Sequence, residues 1–262
     1  MRIKYVAGLL LWFGLCVPAF ASETLEDITE NVDKGIQLDS AYERLQAMRI
    51  EDPMNPEILI QLARIEIKLA TSGSDTMYVG IPSSELDRKT LEPAESLLAE
   101  AVKLNPNYAD TWVLYGHLAY LKFDFMRSRT MLERAKALGT SNPWLHINLG
   151  DTLWAMGSLG PMSEELVRQA EREYQTGLAM KPSPSARTRA YQQLVYIYIR
   201  LRDVEHAKEY SKKILDMSSG KGRAYALHTQ AIVLFQSAND VDGAIIKARE
   251  AMQVFQYPLG NN

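Results

Sequence analysis

The chain has 262 residues, of which 47% are hydrophobic and 23% charged, with a formal net charge of −3. These values suit a soluble globular chain of one or two domains. A charge so near neutral, negative in sign and without any basic block, excludes a nucleic-acid binder driven by phosphate neutralisation.

In chain order, the first predicted element is a secretory signal over residues 1–21. Arg2 and Lys4 form a positive start, Tyr5 to Phe20 is almost wholly apolar, and Ala19 and Ala21 set small residues where a signal peptidase cuts. The apolar run is shorter than the roughly 20 residues of a spanning helix, so cleavage after Ala21 is the expectation and an N-terminal membrane anchor the alternative. Leu15 before Cys16 argues against lipidation, where a small residue is usual. Cys16 is the only cysteine, so the cleaved chain would have no disulfide, and its net charge would be −5 after loss of Arg2 and Lys4. Export without disulfides fits a bacterial periplasm better than an animal extracellular space.

The stretch Trp112 to Phe125 reads as a buried helix, yet Gly116 interrupts it. Glycine within a helix costs about 1 kcal/mol relative to alanine. Another glycine, Gly150, follows 34 residues on, and Tyr115, Leu118 and Tyr120 map at the same spacing onto Leu149, Thr152 and Trp154. A period of 34 signals a solenoid of helical hairpins. With Trp112 early, the Tyr115–Gly116 pair, and Ser128, Leu132 and Ala135 in a second helix, residues 109–142 resemble the tetratricopeptide repeat family. The resemblance implies an all-α fold, an α-solenoid of antiparallel helix pairs. The second helix of each pair would cross close to the first, and glycine at 116 permits the approach.

On that grid the solenoid occupies 22–258 in about six repeats. The first is 22–55, with Ala41, Leu45 and Met48 in its second helix. The second, 56–108, pairs Leu59, Leu62 and Ala63 with Ala94, Leu98 and Ala101, and holds an insertion at 71–91 rich in Ser, Gly and Asp. The third is 109–142. The fourth, 143–187, carries an insertion at 157–169 that extends its second helix, with Ser163 as N-cap. The fifth, 188–221, uses Tyr191, Leu194, Tyr198, Ala207 and Ile214. The sixth, 222–258, uses Tyr225, Ile232, Ala244 and Ala251, before a tail at 259–262. The last two units have Val195 and Thr229 in place of the glycine.

The sequence carries no catalytic motif. It has no Gly-rich phosphate loop, no G-x-S-x-G elbow and no paired-histidine zinc motif, so no enzyme activity, cofactor or metal is expected. What the family resemblance implies is a concave wall of first helices that takes a protein or peptide partner. By position the wall would hold Val113, His117, Tyr120 and Leu121, then Ile147, Asp151, Trp154 and Ala155, then Gln192, Tyr196 and Ile199. Tyr78 and Val79, apolar residues in the polar first insertion, are candidate loop contacts. Chaperone-binding members clamp a carboxylate with Lys, Arg and Asn. Val113 and His117 stand where Lys and Asn would, so an apolar segment is the expected ligand. The function expected is a non-enzymatic periplasmic scaffold for an envelope assembly such as secretion, pilus or polysaccharide export. A holdase-like chaperone and an accessory factor of cell-wall metabolism are the alternatives.

Overall fold

Twelve helices follow one another in the computed structural model, which describes residues 24–71, 77–78, 81–82, 86–159 and 163–256. They pair as hairpins: α1 (Leu25–Lys34) with α2 (Leu38–Glu51), α3 (Pro56–Thr71) with α4 (Glu92–Leu104), and α5 (Ala109–Leu121) with α6 (Phe125–Leu138). Next come α7 (Trp144–Ser158) with α8 (Glu164–Ala179), α9 (Pro184–Arg200) with α10 (Val204–Met217), and α11 (Gly220–Gln236) with α12 (Val241–Gln256). The six pairs form an all-α solenoid. The expected signal, residues 1–21, and the tail, 259–262, lie outside the described residues.

The helix ends follow local chemistry. Thr24 and Asp27 form a reciprocal capping box at α1. Asp124, Ser163, Ser183 and Asp203 accept hydrogen bonds from the backbone N–H three residues on, and so start α6, α8, α9 and α10. Pro184 occupies the first turn of α9, where its missing N–H costs nothing. The third and fifth hairpins use the same three-residue turn. Phe123 and Arg202 take left-handed backbone (φ 63° and 58°), and the following aspartate N–H closes onto Ala119 O at 3.0 Å or Tyr198 O at 2.8 Å. The first insertion holds a two-residue antiparallel ladder, Met77–Tyr78 with Ile81–Pro82, and a 3-10 turn at Arg88–Leu91 whose Leu91 is buried against the core.

Glycine lets the hairpins close. A Cβ at Gly116 would lie 2.5 Å from Leu132 Cγ, and one at Gly150 would lie 2.8 Å from two atoms of the Tyr174 ring. The backbone approach recovers packing that offsets the helix-propensity cost.

Neighbouring pairs meet unequally on their two sides. Each first helix packs on the next first helix, from α1 on α3 through to α9 on α11. Among the described residues no second helix lies comparably close to the next. Long side chains bridge that side: Arg49 to Glu100, both contacts 2.7 Å, Arg127 to Glu95 at 2.9 Å, and Lys136 to Glu173 at 2.8 Å. The stack is tighter along the first helices, so they form the inner, concave side.

Candidate functional site on the inner face

α5, α7 and α9 lie side by side on the inner face and bring one polar network together. Asp151, on α7, is its centre. Its carboxylate accepts from Tyr174 Oη at 2.6 Å, Gln193 Nε2 at 3.1 Å, and Arg189 Nε at 3.2 Å and Nη2 at 3.1 Å. Asp151 is only 2% exposed. A charge at that depth persists because the guanidinium neutralises it and hydrogen bonds fill its lone pairs. Burial, with the Asp151 carboxylate next in importance, raises the Tyr174 phenol well above its usual range.

Beside this network the α5 ring of His117 stacks on Tyr120 with centroids 6.3 Å apart. His117 Nδ1 and Asn148 Oδ1 are both buried with no hydrogen-bond partner. Burial drives the His117 pKa down to about 4, against a weaker pull upward from Asp151. The ring is therefore neutral at pH 7. The inner face at this level carries a compensated ion pair and neutral hydrogen-bonding groups. Arg189 is already engaged by Asp151, so it is not poised to clamp a carboxylate.

The residues named from the sequence divide by depth. Tyr120 and Ile147 are 0% exposed and Trp154 is 4%. Val113, Leu121, Asp151 and Ala155 are also buried. His117, Gln192, Tyr196 and Ile199 are partly buried, and Tyr196 and Ile199 pack against the core. Tyr78 ends one strand of the small ladder; its side chain, and Val79 entirely, lie outside the described residues. Sequence reasoning missed Arg189 and Gln193 as members of the network. A signal was available, because an aspartate in the apolar run "HINLGDTLW" needs a buried donor. The donor comes from the next hairpin, 38 residues on. Among the described residues no cluster of three or more His, Cys, Asp or Glu could hold a metal ion. No helix of the described part is long and apolar enough to cross a membrane.

These features define a class, the helical-hairpin solenoid with a side-chain-lined inner face. Within it, residues 188–220, covering most of α9 and all of α10, match the family model described as tetratricopeptide repeat. Solved tetratricopeptide-type structures share the fold. PilW, a widely conserved type IV pilus biogenesis factor, is 16% identical, with 90% of this chain and 93% of that chain covered and a TM-score of 0.64. For pilF of Pseudomonas aeruginosa the identity is 14%, the coverage 90% and 91%, and the TM-score 0.59. YrrB, a tetratricopeptide protein with an unusual peptide-binding site, is 15% identical over 82% of this chain and 94% of that one, with a TM-score of 0.52. Comparison with curated protein sequences returns no match.

Proposed function

We propose that this protein is a non-enzymatic scaffold whose inner face holds a segment of a partner protein. The observation that carries the reading is the neutral inner wall around Asp151. His117, Gln192, Tyr196 and Ile199 are partly buried along it, and the Tyr120, Ile147 and Trp154 side chains back it rigidly from inside. Such a surface suits an extended or helical apolar segment with uncharged polar groups, because Tyr and other large rings bury much area at small entropic cost. An acidic tail would find no free cation at Arg189.

The setting we propose is the bacterial periplasm, reached by cleavage after Ala21, in support of an envelope assembly. The apolar start with its small-residue site supports export. The likeness in fold to a pilus biogenesis factor makes a pilus-type assembly the first to test.

The test is affinity capture from envelope extracts with the wild type and with His117→Ala/Tyr196→Ala. The wild type should return one or two stoichiometric partners, and the double variant should lose at least about tenfold of the captured amount. Equal capture by both proteins removes the inner face from the mechanism. A broad, substoichiometric set of unfolded chains would favour a holdase instead. Tyr120 and Trp154 are unsuitable targets, because truncating either opens a cavity in the core.

A further inference from the structure

Repetition supplies the molecule with internal controls. The groove between the two helices of each pair receives the first helix of the next: α3 lies on α1 and α2, α5 on α3 and α4, and so on to α11 on α9 and α10. The equivalent groove between α11 and α12 holds no helix among the described residues. It has a volume of about 320 Å³, a floor of Ala231, Ala244 and Ala248, and walls of Ile232, Phe235, Val241 and Ile245. Of the thirteen exposed large hydrophobic residues in the described part, six belong to this last pair: Tyr225, Phe235, Val241, Ile245, Ile246 and Met252. The opposite end is finished differently. There α1 turns Glu26, Asp27 and Glu30 to solvent, the polar outer face that a terminal repeat needs for solubility.

We propose that the α11–α12 face is a homodimer interface, with two copies joined tail to tail about a two-fold axis and each α12 seated in the groove of the other. Five equivalent grooves in this chain take a helix, so the shape of the site specifies one. A second copy brings such a helix on the same face. Val241, Ile245 and Met252, spaced four and seven apart, form an exposed apolar ridge along one side of α12. Ala231, Ala244 and Ala248 leave room in the groove, and Val241 and Ile245 belong both to its wall and to the ridge, so one apolar patch can meet its own copy, as an isologous contact requires. Charge agrees with the pairing. If two antiparallel α12 helices cross at Ile245 and Ile246, Asp242 of each copy falls opposite Arg249 of the other, and both side chains are exposed. Head-to-tail stacking would press the acidic, solvent-facing side of α1, with Glu26, Asp27 and Glu30, onto the apolar wall, where burying charge is costly.

The experiment is sedimentation velocity on the full chain across a dilution series. The wild type should sediment at twice the chain mass, and Phe235→Glu and Ile245→Glu should each sediment as monomers with unchanged helical circular dichroism. Ile50→Glu, at an 84% exposed residue of α2, should remain dimeric. Asp242→Arg or Arg249→Asp alone should weaken the dimer about tenfold, and the two together should restore it. A wild type that stays monomeric throughout overturns the proposal, and so does a dimer that survives both glutamate substitutions.

Discussion

His117 on α5 and Asp151 on α7 lie on neighbouring helices of the inner face and meet burial in different ways. Asp151 is paired with the Arg189 guanidinium at 3.1 Å. Asp151→Asn would still accept from Tyr174 but would leave the guanidinium without its carboxylate. A loss of about 3 kcal/mol in urea unfolding is expected, partly recovered in Asp151→Asn/Arg189→Met, because the double variant leaves no unpaired ion buried. His117 instead stays neutral. In the unfolded chain its ring takes up a proton near pH 6.5, and in the fold only near 4. Above pH 6.5 both states are neutral and the group adds no pH dependence. As pH falls from 6.5 to 4 only the unfolded chain gains the proton, so stability drops, by up to about 3 kcal/mol, and then levels off. His117→Gln should flatten that window in the difference between the two unfolding profiles. An unchanged slope would mean that the ring charges freely in the folded protein.

Across a pair of helices, the crossing point decides which residue sizes fit. Gly150→Ala and Gly116→Ala should both destabilise despite better helix propensity, by about 1–3 kcal/mol for overpacking. The first should cost more. Gly150 faces the Tyr174 ring, whose hydroxyl is held by Asp151 at 2.6 Å and cannot swing aside. Gly116 faces the flexible Leu132 side chain. Thermal midpoints of the two variants rank them directly. The fifth pair solves the same problem in reverse. Val195 replaces the glycine of α9, and the residue sixteen positions on, which is Leu132 in the third pair, is Ser211; both are buried. Volume added on the first helix is taken from the second.

Over the whole molecule, each pair touches only its neighbours, so stability should vary along the stack. Amides of α7 and α9, buried between pairs on both sides, should exchange slowest, and those of α1, α2 and α12 fastest. Uniform protection across all six pairs would show instead a single cooperative unit. The ion pairs between second helices are partly exposed, so raising salt should change stability little.

How far the sequence reached follows from these scales. The all-α solenoid was legible because the residues that specify it act locally: small side chains recur at crossings and caps sit at helix starts. Asp151 was legible as an anomaly in an apolar run, but Arg189 and Gln193 were not legible as its companions. Helical periodicity tells which side of a helix a residue takes. It does not tell which residue of the next hairpin comes level with it, above all across a repeat lengthened between Gly157 and Gln169. Depth was equally invisible: Tyr120 and Trp154 share inner-face positions with His117 and Tyr196, yet the packing of each pair on the next swallows the first two and leaves the others only partly buried. The amino-acid order by itself specified an all-α solenoid of helical hairpins. Only the tertiary structure decided which side chains converge and which terminal groove stays open, because both depend on the rotation between successive pairs, a property of surfaces in contact that no single segment contains.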